Sequence, residues 1–249
     1  MTEFPFNRPI AHRGLHDKTN GIIENSRSAF EAAINRGFAI ECDVQLTQDG
    51  EAVVFHDKEL NRLTGREGLV SEITAEALCA LPLTGSANGD TPIRFADFLT
   101  GIAGQVGLVV EIKQQEHPAQ TRMLAEKVLS DIAGYGGPIA FKSFDPLALS
   151  VLHQKRYRGP LGIITYDYSS HADHLNGTQK FVLRNTLHRA VSHFTFVSCE
   201  RTALTTPMIR LRRALGIKVM SWTVRSKAEA DAALQHADQI VFEGFDPEA

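Results

Sequence analysis

Two histidines bracket a pair of carboxylates in the first quarter of the chain. His12 lies near the start, Glu41 and Asp43 are two residues apart, and His56 follows them. Histidine exchanges protons near neutral pH, and neighbouring carboxylates bind hard divalent cations. Glu111 adds a third carboxylate further along the chain. These residue types in this order predict a metal-assisted acid/base site.

The carboxylates of Glu41, Asp43 and Glu111 are hard oxygen ligands, which suit Mg²⁺ or Ca²⁺ and not a zinc site built on His and Cys. Without a cation, three nearby carboxylates would raise one another's pKa, so the cluster predicts a bound metal. Arg13 and Lys113 supply the fixed positive charge that phosphate recognition requires. Together with the two histidines as acid and base, this set of groups predicts phosphodiester cleavage.

Each of these residues also has an ordinary structural interpretation. His12 taken alone is more often structural than catalytic, and Glu111 with Lys113 is equally consistent with an ion pair at a strand end. Glu24 lies in a helix N-cap segment and Trp222 in a strand typical of a core, although both are candidates for substrate contact. Polar residues at the ends of several separate strands favour the functional interpretation, because barrel enzymes place their chemistry there.

The composition is that of an ordinary globular protein. The chain has 249 residues, 43% hydrophobic and 22% charged, with a net charge of −3. This balance gives no general reason to bind nucleic acid or an anionic membrane. No signal-peptide pattern and no apolar run of roughly 20 residues is visible, so we expect a cytoplasmic protein without stable membrane insertion. Three widely spaced cysteines (Cys42, Cys79 and Cys199) are expected to be free thiols, and the oligomeric state, including a homo-oligomer, is left open.

Strand-like runs alternate with helical patterns along the chain, which indicates α/β architecture with parallel strands. The strand-like runs are residues 9–12, 38–44, 52–56, 107–112, 138–144, 161–166, 194–199, 218–224 and 239–242. Helical patterns cover residues 28–36, 95–102, 121–132, 207–215 and 226–236. Residues 52–56 follow an Asp49-Gly50 turn and not a helix, so we predict an antiparallel return strand there. The eight remaining strands predict a (β/α)8 TIM barrel.

The Asp49-Gly50 turn also predicts a register for this hairpin. With a two-residue loop, Asp43 lies opposite His56, and Glu41 shares their face of the sheet. The opposite face would then carry a consistent apolar set, Val44, Leu46, Val53 and Phe55. Residues 60–90 are polar and rich in turns, so we expect a single domain over residues 1–249 with a small insertion near residues 45–92 after the second strand.

Taken together, these motifs resemble the glycerophosphodiester phosphodiesterase family over nearly the full length of the chain. The matching elements are Ala11-His12-Arg13-Gly14, Glu24-Asn25-Ser26, Glu41-Cys42-Asp43-Val44, Asp49-Gly50, Val54-Phe55-His56-Asp57, Glu111-Ile112-Lys113, Ser143-Phe144 and Ser221-Trp222-Thr223-Val224. The resemblance implies a (β/α)8 barrel with an insertion after its second strand. It also implies hydrolysis of a small glycerophosphodiester to glycerol 3-phosphate and an alcohol, through attack by the glycerol 2-hydroxyl and a cyclic glycerol phosphate.

The resemblance also implies roles for the candidate residues. His12 and His56 would be the acid/base pair, with the order of their roles open. Divalent metal would be held by Glu41, Asp43 and Glu111, and phosphate by Arg13 and Lys113.

Two alternatives and one departure accompany this interpretation. The last strand ends in Phe242-Glu243 where many relatives carry Thr-Asp, so we expect different contacts at the substrate end and an unchanged metal site. One alternative is a phospholipase D-like relative acting on lysophospholipid head groups. The other is a barrel that binds a phosphate ester without turning it over.

Overall fold

The computed structural model describes residues 4–168 and 175–249. Its strands are β1 (Ile10–Ala11), β2 (Ala39–Leu46), β3 (Ala52–Val54), β4 (Ile93–Arg94), β5 (Leu108–Ile112), β6 (Ile139–Ser143), β7 (Leu161–Thr165), β8 (Phe196–Glu200), β9 (Lys218–Val224) and β10 (Gln239–Phe242). Its helices are α1 (Arg27–Asn35), α2 (Asn61–Thr64), α3 (Ala75–Cys79), α4 (Phe95–Ile102), α5 (Pro118–Asp131), α6 (Pro146–Gln154), α7 (Gly177–Arg184), α8 (Arg189–Ser192), α9 (Pro207–Ala214) and α10 (Lys227–Leu234).

Eight parallel strands close into a barrel in the order β1-β2-β5-β6-β7-β8-β9-β10, and β10 pairs with β1. Helices lie between successive strands, which confirms the predicted (β/α)8 architecture. The residue pair Ala11 and Phe242 closes the barrel. Among the described residues, none of the helices has the length and apolar character that crossing a bilayer would need.

Alternation along the strands separates an apolar lower interior from a charged upper one. On β5, Val109 belongs to the small apolar cluster at the bottom of the barrel, and Glu111, two residues later, lies above it. On β2, the same two-residue step leads from Ala39 to Glu41 and Asp43. The intervening Cys42 packs in the outer core between strands and helices, so it points away from the carboxylates as expected.

The predicted hairpin register is wrong by one residue. Val44 pairs with Val54 and Leu46 with Ala52, and the Phe55 amide donates to the Asp43 carbonyl at 3.0 Å. The loop has three residues because Gly50 adopts a left-handed conformation (φ 80°) at its third position. Asp43 therefore lies opposite Phe55 and not opposite His56.

The shift was not evident from the apolar pattern because both faces of the hairpin are buried. Val44 and Val54 pack in the outer core, whereas Val53 and Phe55 pack in a second apolar cluster. Residues from the segment that follows the hairpin complete that second cluster, among them Leu60, Leu63, Val70, Leu78 and Leu83. This segment carries the short helices α2 and α3 and returns through β4, which pairs antiparallel with β3.

Candidate active site

The three predicted metal ligands come together at the carboxyl ends of β2 and β5. Glu41, Asp43 and Glu111 each offer a carboxylate oxygen, and these oxygens all lie within 4.8 Å of one another. Asp43 and Glu111 are register partners on the two strands, and all three residues are buried. Three hard oxygen donors at this spacing fit the ligand chemistry of Mg²⁺ or Ca²⁺.

Lys142 is a fourth charged residue of this cluster, and the sequence analysis missed it. It is the register partner of Glu111 on β6, and its Nζ lies 2.9 Å from Glu41 Oε1 and 3.6 Å from Glu111 Oε2. Burial would lower the pKa of Lys142, but the two carboxylates outweigh burial and raise it. The available signal was a lysine inside an otherwise apolar strand, because a buried lysine needs a partner.

Two predicted phosphate contacts complete the charge balance around Asp43. Lys113 Nζ lies 2.8 Å from Glu111 Oε1 and 3.4 Å from Asp43 Oδ1, and Arg13 Nε lies 3.5 Å from Asp43 Oδ2. Burial would raise the pKa of Asp43, but Lys113, His56 and Arg13 hold it well below its usual range. The expected upward shift is therefore wrong for Asp43, because neighbouring cationic side chains, Lys113 and Arg13 among them, already offset the carboxylates.

His12 is held by the carboxylate of the residue that follows the last strand of the barrel. Its Nδ1 lies 2.6 Å from Glu243 Oε2, and its Nε2 lies 3.9 Å from Glu41 Oε2. Burial would raise the pKa of Glu243, but hydrogen bonds from His12 and His16 keep it far below its usual range. A carboxylate only accepts hydrogen bonds, so Nδ1 donates to Glu243. In the neutral ring this leaves the unprotonated Nε2 on the side of Glu41.

His56 has a similar arrangement with its chain neighbour. His56 Nδ1 lies 2.6 Å from Asp57 Oδ1, so it too donates to a carboxylate. The Gln45 side-chain amide donates to the carbonyls of His56 (3.0 Å) and Asp57 (3.1 Å). These bonds fold the chain back over β2 after β3 ends. His56 thereby reaches the cavity shared with Glu111 and Lys113 through a loop, and not through the predicted strand pairing.

A chain of ion pairs links the supports of His56 and Arg13. Arg62, from the short helix α2, donates to both carboxylate oxygens of Glu24 at 2.8 Å and also pairs with Asp57. Glu24 accepts a 2.6 Å bond from Arg13 as well. Burial opposes ionisation, but Arg62 and Arg13 lower the pKa of Glu24 to about 2. Glu24 thus forms ion pairs with two arginines, and its predicted contact with substrate stays a prediction.

Two neighbouring residues before helix α1, Asn25 and Ser26, make different hydrogen bonds. The Ser26 hydroxyl accepts a 3.2 Å bond from the Ala29 amide and caps α1 as expected. Asn25 instead donates to Asp43 Oδ2 at 3.0 Å, so it orients a predicted metal ligand.

Trp222 combines a structural contact with a position near the mouth. Its indole nitrogen donates to the Ser198 carbonyl at 3.0 Å, and its ring meets the edge of Phe144 at a centroid distance of 5.7 Å. Phe144 lines a cavity of about 770 Å³ that also contains His56, Glu111 and Lys113. Trp222 therefore supports one wall of this cavity from behind.

The fold and site define a (β/α)8 barrel with a buried carboxylate cluster and two carboxylate-paired histidines at the carboxyl ends of its strands. The sequence model of the glycerophosphoryl diester phosphodiesterase family matches residues 12–241. The chain belongs to this family.

Individual relatives agree with the family assignment. A glycerophosphodiester phosphodiesterase of Bacillus altitudinis is 48% identical over 70 residues, which span 28% of this chain and 27% of that protein. YhdW of Bacillus subtilis is 26% identical over 228 residues, covering 89% and 87% of the two chains. A phosphodiesterase of Oleispira antarctica, solved in complex with the product sn-glycerol-3-phosphate, superposes with a TM-score of 0.78. That structure is 20% identical, with 94% and 91% of the two chains covered, and so shows the shared fold.

Proposed function

We propose that the protein hydrolyses glycerophosphodiesters to glycerol 3-phosphate and an alcohol, with His12 and His56 as the acid/base pair. The observation that carries the proposal is the 2.6 Å bond from Nδ1 of each histidine to a carboxylate, beside one cluster of charged groups. A carboxylate on Nδ1 fixes the tautomer and stabilises the imidazolium that forms when Nε2 takes a proton. Membership of the family supports the same activity.

Proton transfer in the first step needs one neutral and one protonated histidine. The neutral histidine takes the proton of the glycerol 2-hydroxyl at Nε2, while the hydroxyl oxygen forms its bond to phosphorus. The other histidine gives its proton to the alcohol oxygen as the bond between phosphorus and that oxygen breaks. The products are the free alcohol and a cyclic glycerol phosphate, and the two histidines have exchanged protonation states.

Water opens the cyclic ester in the second step. The histidine that is now neutral takes a proton from water, whose oxygen bonds to phosphorus. The protonated histidine returns its proton to the 2-oxygen as that oxygen leaves, which gives glycerol 3-phosphate and restores the starting states. Each carboxylate partner holds its ring in place during both transfers.

The charged cluster would hold the phosphate during both steps. Arg13 and Lys113 present cationic groups beside Asp43, in position to balance a phosphoryl charge. A divalent cation held by Glu41, Asp43 and Glu111 would supply further positive charge to the phosphoryl oxygens. We propose Mg²⁺ or Ca²⁺ because the donor set consists of carboxylates.

The test is an assay of glycerophosphoethanolamine hydrolysis with Mg²⁺, Ca²⁺ or EDTA. We expect His12→Gln and His56→Gln each to lower kcat by about 10² to 10⁴-fold, and His236→Gln, outside the site, to leave it unchanged. We expect the stripped protein in EDTA to lose activity and an analogue without the 2-hydroxyl to resist cleavage. Full activity in both histidine variants would refute the acid/base pair, and turnover of the analogue would refute intramolecular attack.

A further inference from the structure

The cavity beside the candidate site is lined by charged and polar residues over one part and by a group of apolar side chains over another. His56, Glu111 and Lys113 lie at the polar end. Rings and aliphatic side chains form another part of the wall, which we call the apolar pocket: Phe144, Tyr166, Tyr168, Leu175, Val182 and Leu183. Asp145, Thr178 and Gln179 line the cavity beside it. A phosphodiester held at the polar end would extend one of its substituents toward this apolar pocket.

Helix α7 forms the outer wall of the apolar pocket. Leu175, Val182 and Leu183 are spaced so that they share one face of the helix and its entry. These three side chains are only partly buried, and none of the residues of α7 is fully buried. Among the described residues, this face therefore presents apolar side chains, together with Thr178 and Gln179, to the cavity. Apolar surface in contact with water is unfavourable, so a ligand that covers it gains affinity.

The aromatic wall is built for apolar contact and not as a cage for a cation. The rings of Tyr166 and Tyr168 lie against each other with centroids 4.1 Å apart, and Phe144 meets Tyr166 edge-on at 6.0 Å. A quaternary ammonium group needs open ring faces around it. Lys58 and Lys113 line the cavity together with Asp57, Glu59, Glu111 and Asp145, so the stacking of the rings, and not the charge, disfavours a cation cage.

We propose that the apolar pocket binds an alkyl or acyl chain of the substrate, so that the protein prefers glycerophosphodiesters that carry such a chain. This inference rests on the proposed function for the reaction, whereas the binding of a chain beside the phosphate site does not require turnover. The chain is attached either through the alcohol on phosphorus or at the glycerol 1-position, because the proposed chemistry needs the 2-hydroxyl free.

Binding is measured first, with simple phosphate esters as probes. Trp222 is the single tryptophan of the chain and contacts Phe144 at the pocket, so its fluorescence reports occupancy. We expect affinity to increase about two- to fourfold for each methylene from methyl to hexyl phosphate. Affinity that does not change with chain length would overturn the proposal.

A pair of variants tests the location. Val182→Asp places a charge on the pocket wall, and Val191→Asp places one on an exposed site of α8 outside it (58% exposed). We expect Val182→Asp to abolish the dependence on chain length without changing methyl phosphate binding, and Val191→Asp to behave as the wild type. An unchanged dependence in Val182→Asp would show that the chain does not enter the apolar pocket.

Hydrolysis then separates the sources of the chain. The substrates are 1-hexanoyl-glycerophosphoethanolamine, glycerophospho-n-hexanol, glycerophosphoethanolamine and glycerophosphocholine. If kcat/KM is highest for 1-hexanoyl-glycerophosphoethanolamine, the bound chain is the one on glycerol. If it is highest for glycerophospho-n-hexanol, the bound chain is the one on the alcohol. Either result supports the apolar pocket. Preference for glycerophosphocholine would overturn it in favour of a cation site. If no substrate is cleaved while hexyl phosphate binds, the proposed reaction fails and the pocket stands.

Discussion

His12 and Glu243 are 231 residues apart in the chain, yet His12 Nδ1 lies 2.6 Å from Glu243 Oε2. The closure of the barrel produces this contact. Ala11 and Phe242 are paired at the ends of the first and last strands, and the histidine and the glutamate directly follow them. Glu243, which the sequence analysis linked only to contacts at the substrate end, therefore becomes the partner of a candidate catalytic histidine.

Glu243→Gln tests this partnership. Glutamine still accepts the bond from Nδ1, but it lacks the charge that would stabilise a His12 imidazolium in the proposed mechanism. We expect kcat for a glycerophosphodiester to fall by roughly 10² to 10⁴-fold while KM stays within about twofold. Glu248→Gln is the matched control, since Glu248 forms a half-exposed ion pair with Arg8. Equal kcat values in the two variants would contradict the role of Glu243.

Lys142→Met tests how the carboxylate cluster is balanced. Lys142 is almost fully buried between Glu41 and Glu111, and removing it leaves two buried carboxylates short of a partner. In EDTA we expect the free energy of unfolding to fall by about 3–5 kcal/mol, as is usual when one partner of a buried pair is lost. Saturating Mg²⁺ or Ca²⁺ should recover much of this loss, because a bound cation replaces the missing charge.

Urea unfolding with and without the cation measures both effects. The control is Lys127→Met, because the Lys127 side chain is 25% exposed and pairs with Glu51 and Asp131. We expect its free energy of unfolding to decrease by no more than about 1 kcal/mol. The cation should stabilise this variant no more than it stabilises the wild type. A Lys142 variant that the cation does not stabilise would argue against a metal at the three carboxylates.

Gly50→Ala tests the loop that shifts the hairpin register. Among the residues that the structure describes, an alanine Cβ at Gly50 would have only Met123 within 4 Å, so the cost is the left-handed backbone itself. We expect a loss of about 1 kcal/mol in the free energy of unfolding. Gly101→Ala, in α4 with open space around it, should instead stabilise the protein by about 0.4–1 kcal/mol. A neutral Gly50→Ala variant would mean that the turn tolerates another conformation.

The hairpin also shows where sequence reasoning succeeds and where it stops. The barrel and the meeting of Asp43 with Glu111 follow from alternation and from the count of parallel strands. The position of His56 does not, because the register depends on one glycine conformation and the segment after the hairpin buries the hairpin's second face as well. The sequence predicted that His56 lies near the carboxylates, but it predicted this through a strand pairing with Asp43 that the structure does not contain.

The missed residues differ in how far the sequence could have revealed them. Lys142 interrupts an apolar strand, so its need for a buried partner was available from the sequence. Glu243 and Arg62 act through side-chain contacts across barrel closure and across a short helix. No local period or spacing encodes such contacts, and only the folded arrangement reveals them.

The pH dependence of stability should carry a contribution from His188, away from the candidate site. Burial, and then the nearby Arg212, lower the pKa of His188 to about 4 from an ordinary value of 6.5. Above pH 6.5 the ring is neutral in both the folded and the unfolded chain. Between pH 6.5 and 4 the unfolded chain binds a proton that the folded protein does not. The free energy of unfolding therefore decreases as the pH is lowered through this range.

His188→Gln removes this titration while keeping a polar side chain opposite Ser192, whose hydroxyl lies 3.0 Å from His188 Nδ1. We expect the wild type to lose about 1 kcal/mol more than the variant between pH 7.5 and pH 5, after allowing for partial exposure of the ring. Urea unfolding at the two pH values measures the difference. Arg212→Gln should reduce the same pH dependence by removing one of its two causes, and identical slopes in all three proteins would exclude His188 as the source.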